Sequence, residues 1–173
     1  CYNLKSIILP DTVEKIDDLA FNSCINLKQI YLPTSLKIIG SSAFANCTKL
    51  ENAVLPENLE ELGTFSFSNC KSLKEVAIPF KVKSIPSSCF SLCGSLESVK
   101  TGKNVTNIGE NAFKSCSSLK NVAFSNKLES IGEEAFYNCS ELESLNLPDS
   151  LKEIASYAFG FCKNLKTLKI PEN

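Results

Sequence analysis

Histidine and methionine are absent from the 173 residues. Without histidine the chain lacks its most versatile general base and zinc ligand, and no metal site is expected. An excess of one charge is missing too: 18 basic against 19 acidic residues give a net charge of −1. No bulk field therefore gathers nucleic acid or an anionic membrane surface. Long apolar runs are also lacking. None approaches the roughly 20 residues that span a bilayer, so no membrane insertion by this segment is expected. The opening CYNLKSIILP has neither the charged start nor the long apolar stretch of a secretion signal. With methionine missing even from position 1, the sequence is expected to be a piece of a longer product. What is present is ordinary for a folded chain, 43% hydrophobic and 21% charged, and residues 1–173 are expected to form a single domain.

A repeat organises that composition. Cys1, Cys24, Cys47, Cys70, Cys93, Cys116, Cys139 and Cys162 follow one another at intervals of 23 residues without a slip. Phe21, Phe44, Phe67, Phe90, Phe113, Phe136 and Phe159 keep the same step, as do Leu4, Leu27, Leu50, Leu73, Leu96, Leu119, Leu142 and Leu165. A proline column holds Pro10, Pro33, Pro56, Pro79, Pro148 and Pro171, with Gly102 and Ser125 at its two exceptions. A period in this range with L-x-x-L-x-L spacing predicts a leucine-rich-repeat solenoid.

Within one unit, strand alternation turns Ile30 and Leu32 to one face and leaves Gln29 and Tyr31 outside. Pro33, without an N–H, suits the end of a short strand. Leu36 and Ile39 fit an extended crossing segment or one tight turn equally well. Ala43, Phe44 and Cys47 then fall at i, i+1 and i+4, which predicts a short convex-side helix. Ser41, Ser87, Glu110, Glu133 and Ser156 are its candidate caps. The expected fold is thus an α/β right-handed solenoid of about seven and a half repeats, with parallel strands on the concave face and short helices on the convex one.

The run Ile39-Gly40-Ser41-Ser42-Ala43-Phe44-Ala45-Asn46-Cys47-Thr48-Lys49-Leu50, repeated in form from Ile108 to Leu119 and from Ile131 to Leu142, resembles the BspA-like, or Treponema-type, class of leucine-rich repeats. The likeness runs the length of the chain, departing at Pro86, at Thr101-Gly102 and at Phe124-Ser125. It implies a cell-surface or secreted adhesion protein that binds a host matrix or cell-surface protein.

Equivalent cysteines on successive coils sit about 4.8 Å apart and point the same way, beyond the usual Cβ separation of a disulfide. They are expected to be buried free thiols packing as small hydrophobes. Asn46-Cys47-Thr48, Asn104-Val105-Thr106 and Asn138-Cys139-Ser140 match the N-glycosylation pattern. In the two Asn-Cys cases, asparagine is more simply a residue tolerant of left-handed geometry.

Function is expected on the outward strand positions, which packing leaves free. The candidate protein-binding residues are Ile8, Gln29, Tyr31, Asn52, Val54, Glu75, Ser98, Lys100, Asn121, Asn146 and Lys169. Ile8, Tyr31 and Val54 form an apolar stripe where solvent would accept polar residues, although strand preference alone also favours such residues. Phe80 is apolar where sister repeats carry polar residues. No nucleophile, base or carboxylate pair is singled out by the repeat, so neither catalysis nor a cofactor is expected. The alternative to a surface adhesin is an intracellular scaffold binding another protein of the same cell, and nine free thiols suit a reducing compartment. Terminal coils without caps are expected to fray or to pair end to end with a second copy.

Overall fold

The computed structural model describes residues 1–170; Pro171, the last of the proline column, lies outside the described residues together with Glu172 and Asn173. The chain winds into a repeat solenoid in which each coil stacks on the previous one in parallel, one unit out of phase. Ser6 pairs with Gln29 and Ile7 with Ile30, for example. A first ladder holds β1 (Ser6–Ile8), β3 (Gln29–Tyr31), β5 (Asn52–Ala53), β7 (Glu75–Ala77), β9 (Ser98–Lys100), β11 (Asn121–Ala123), β13 (Ser144–Asn146) and β15 (Thr167–Lys169). A second ladder holds the two-residue strands β2 (Lys15–Ile16), β4 (Ile38–Ile39), β6 (Glu61–Leu62), β8 (Ser84–Ile85), β10 (Asn107–Ile108), β12 (Ser130–Ile131) and β14 (Glu153–Ile154). The crossing segment that the sequence left open is therefore extended.

The expected short helices do not form: none of the described residues is helical. In the segment after Gly40, the N–H groups of Ser42, Phe44 and Asn46 donate to Thr64, Ser66 and Ser68 of the next coil, each at 2.8 Å. The intervening Ala43, Ala45 and Cys47 donate three residues back, to Gly40, Ser42 and Phe44. A helix would send every N–H four residues back, whereas here every second one is spent on the neighbouring coil. Ser42 and Asn46 take φ of 53° and 62°, the left-handed conformation that the third residue of a type II turn requires. The same two columns are left-handed in the other coils, including Asn69 and Asn138. The inward set read from the sequence is nevertheless right, since Ala43, Phe44 and Cys47 are fully buried. Spacing located the buried side chains, but hydrogen bonds between coils chose the backbone. Ser41 has no helix to cap; its N–H donates instead to Asp18 Oδ1 at 2.7 Å.

The core is a pile of identical layers. Consecutive phenylalanine rings from Phe21 to Phe159 stack nearly parallel with centroids 5.2 to 5.5 Å apart. Each such pair contributes about 0.5–1.5 kcal/mol beyond its burial. All nine cysteines are free thiols. Those in the repeat column do more than fill space: Cys47, Cys70, Cys93, Cys116, Cys139 and Cys162 donate S–H to the carbonyls of Phe21, Phe44, Phe67, Phe90, Phe113 and Phe136, at 3.1 to 3.3 Å.

One joint interrupts both ladders. β5 and β7 are not hydrogen-bonded to one another, nor are β6 and β8. Elsewhere Gly40, Gly63, Gly109 and Gly132 donate N–H to the isoleucine carbonyl one coil back, as Gly63 does to Ile39 at 2.7 Å. At the equivalent place stands Pro86, which has no N–H. Its ring also needs room that closely stacked coils do not give: a Cβ on Gly63 would lie 2.3 Å from Ser41 N. The coils meeting at Pro86 thus stay apart on these two ladders, while Phe65, Phe67 and Asn69 keep them bonded on the turn side through Ser87, Cys89 and Ser91. The strand ladder also lapses between β11 and β13. Beside that lapse the missing Leu-Pro pair is replaced by polar bonding: Ser125 N–H donates to Thr101 Oγ1 at 2.6 Å, and Ser125 Oγ donates to Lys103 O at 2.9 Å. Phe124 turns its edge to Phe136.

Candidate functional site

Strand pleating fixes which side chains leave the core. In β3 the middle residue Ile30 is buried, and Gln29 and Tyr31 on either side are exposed. Parallel pairing then aligns equivalent residues across coils, placing Ile8 beside Tyr31 and Gln29 beside Asn52. Ile8, Tyr31 and Val54 are 79%, 55% and 80% exposed, so three adjacent coils present large apolar groups to water. Tyr31 Oη donates to Gln29 Oε1 at 3.3 Å, which holds the ring along its own strand.

Two shallow depressions flank this stripe. One of about 450 Å³ is lined by Gln29, Tyr31, Leu32, Thr34, Asn52, Val54 and Pro56. The other, of about 500 Å³, lies over the joint between β5 and β7 and gathers Asn52, Val54, Glu75, Ser98, Lys100 and Asn121. Asn52 and Val54 line both. Most of the strand positions singled out from the sequence thus converge on one continuous area. Asn146 and Lys169 do not join it: they pair with each other in β13 and β15, beyond the second lapse of the strand ladder.

A third depression, of about 700 Å³, escaped the sequence reading. It lies where the chain leaves the strands, with Phe80, Lys100, Lys103 and Lys127 around it and Glu57 at one edge. Its residues fall at neighbouring positions of the repeat, but their types change from coil to coil, as Glu57, Phe80, Lys103 and Asn126 do within one column. Only the exposed Phe80 gave a signal.

Six cysteines of the interior are held as thiols. Burial pushes Cys47, Cys89 and Cys93 up to about 12 and raises Cys70, Cys116 and Cys139 as well. Nucleophilic chemistry needs the thiolate. Among the described residues no group of histidine, cysteine, aspartate or glutamate is placed to hold a metal ion. No described helix is long and apolar enough to cross a membrane.

Stacked parallel coils with an exposed strand face define a leucine-rich-repeat solenoid. More closely, the chain belongs to the BspA type leucine rich repeat family, whose profile matches residues 1–120 and 83–173 and counts 6 copies. Among solved structures, a leucine-rich repeat protein from Bacteroides ovatus is 29% identical with a TM-score of 0.69, aligned over 100% of this chain and 51% of its own. One from Eubacterium ventriosum is 27% identical with a TM-score of 0.85, over 98% of this chain and 44% of its own. The leucine-rich repeat protein of T. pallidum is 26% identical with a TM-score of 0.68, over 80% of this chain and 78% of its own. This chain therefore spans about half the length of the first two. No curated protein sequence matches it significantly.

Proposed function

We propose that this chain is a non-catalytic protein-binding module, part of a cell-surface or secreted adhesion protein, and that it holds a host matrix or cell-surface protein against its strand face. The observation carrying this reading is the aligned, exposed stripe of Ile8, Tyr31 and Val54. Exposed apolar groups on contiguous coils lose water when a partner covers them, and aromatic residues at the centre of such patches commonly dominate binding energy. Eight strands at about 4.8 Å spacing give roughly 35 Å of sheet, enough for an interface of about 800 Å² per partner. Membership of the repeat family supports protein interaction as the general role. The surface location follows the BspA-like resemblance.

The test is binding to immobilised extracellular-matrix proteins by surface plasmon resonance. Tyr31→Ala combined with Val54→Glu is expected to abolish the binding seen with the wild type, a loss of more than about 2 kcal/mol. Because both side chains are exposed, the melting temperature should hardly move. Unchanged binding by the double variant would retire the stripe as the site.

A second reading, an intracellular scaffold, is favoured by the nine free thiols, which suit a reducing compartment. A secretion signal or anchor in the parent protein separates the two.

A further inference from the structure

We propose that the notch around Phe80, Lys100, Lys103 and Lys127 takes an extended acidic segment of the partner, with carboxylates on the lysines and an apolar side chain against Phe80. This deepens the protein-binding reading and rests on it. Geometrically the notch continues the strand-face depression over the joint: Ala77, Ile78, Pro79 and Lys100 line both. A bound chain can therefore run from the strand face around the corner without leaving the protein.

The local charge runs against the overall balance. Three lysines face a single carboxylate, Glu57, at the rim, in a chain whose net charge is −1. Some lysines elsewhere carry acidic partners, as Lys37 does with Glu14 and Lys152 with Glu129. Among the described residues neither Lys100 nor Lys103 makes an ion pair. Lys127 is positioned instead by a neutral group: its Nζ donates to Asn104 Oδ1 at 2.9 Å, and Asn104 Nδ2 donates to Phe80 O at 2.9 Å. That chain of bonds fixes a cation beside the aromatic residue.

The room for a ligand is built in. Lys100 pairs in register with Ala77 on one side and Ala123 on the other, so nothing crowds its side chain. Phe80 is 48% exposed at a position where other coils hold Asp11, Thr34, Glu57, Lys103 and Asn126. A uniform polyanion fits poorly, since Glu57 stands at the rim and, on the other side of Phe80, Glu60 and Glu61 offset Lys81 and Lys83. A peptide with acidic residues at one end and an apolar residue at the other matches both the lysines and the ring.

The probe is a short fluorescein-labelled peptide in which a leucine is followed by alternating serine and glutamate, read by fluorescence anisotropy. Wild-type protein is expected to bind it at least about tenfold more tightly than the same peptide with lysine for glutamate, and less tightly as salt rises. The K100E/K103E/K127E variant should lose at least about tenfold in affinity, and Phe80→Ala should weaken binding by about threefold or more. K5E/K71E/K163E, the same charge change elsewhere, should stay within about twofold of wild type. Circular dichroism melts confirm that each variant is folded. Equal affinity for the acidic and basic peptides, or an unaffected K100E/K103E/K127E variant, overturns the proposal. So does a heparin fragment or oligonucleotide that binds the notch more tightly than the peptide. Tyr31→Ala with Val54→Glu tests the strand face separately, through binding to matrix proteins. Loss of matrix-protein binding in that variant, with no peptide binding by the wild type, would sink the notch and spare the strand-face reading.

Discussion

The carbonyl of each core phenylalanine serves two donors at once. Phe90 O accepts the Cys93 N–H of its own coil at 3.4 Å and the Cys116 S–H of the next at 3.2 Å. The thiol column is thus a set of bonds between coils that depends on the sulfur staying protonated. Unfolded, these groups would titrate near 9.0; folded, burial holds Cys47 and Cys93 at about 12. Between those values the unfolded chain releases protons that the folded chain keeps, so the stabilisation is complete below pH 9 and is lost as pH rises toward 12. Each thiol then weakens the fold by up to about 1.4 kcal/mol per pH unit. Thermal melts are expected to be level between about pH 7 and 8 and to fall steeply above about pH 9. A melting temperature unchanged to about pH 10.5 would show that the thiols do not matter in this way.

Pro86 shows how one residue decides the pairing of whole elements. The N–H of Thr106 is bonded to Lys83 O at 2.9 Å, and that of Glu129 to Thr106 O at 2.7 Å. Among the described residues, Lys83 N–H has no such bond to the coil before it. In hydrogen exchange, the Lys83 amide is expected to exchange at least about tenfold faster than the Thr106 amide, because unbonded amides open without unfolding. Pro86→Gly should restore a donor facing Leu62 O and let the coils close. Exchange at Lys83 should then slow, and stability should rise by about 0.5–1 kcal/mol. If Lys83 is already as protected as Thr106, the joint is closed in solution. The same joint underlies the depression that gathers Asn52, Glu75, Ser98 and Lys100, so Pro86→Gly should also make that area shallower.

Over the whole molecule, each coil touches only its neighbours, and stability accumulates coil by coil. Phe44 and Phe136 are both fully buried, and Phe67, Phe90 and Phe113 lie between them in the stack. Phe44→Leu and Phe136→Leu should each lower stability by about 1–2 kcal/mol. Combined, they should add to within about 0.5 kcal/mol. Urea unfolding of the two single variants and the double variant checks this, and a coupling above about 1 kcal/mol would mean that strain travels along the solenoid. An elongated stack of this kind turns its outward residues into one broad surface, which suits binding a large partner better than enclosing a small one.

The repeat period, the inward columns and the outward strand positions were all legible in the sequence, because a one-unit step in a parallel stack repeats every contact. Leu27, Phe44 and Cys47 and their equivalents had to be core wherever coils stack on both sides, and Tyr31 had to face out once Ile30 faced in. The backbone of the turn side was not legible. Ala43, Phe44 and Cys47 have helical spacing, and only the neighbouring coil, by accepting every second N–H, makes left-handed turns preferable there. Nor could spacing disclose the notch, because Lys100, Lys103 and Lys127 stand in columns that carry other residue types in the neighbouring coils, and they meet only after stacking. Local sequence set which side chains are buried; hydrogen bonds between coils set the conformation that buries them and the hollows left between.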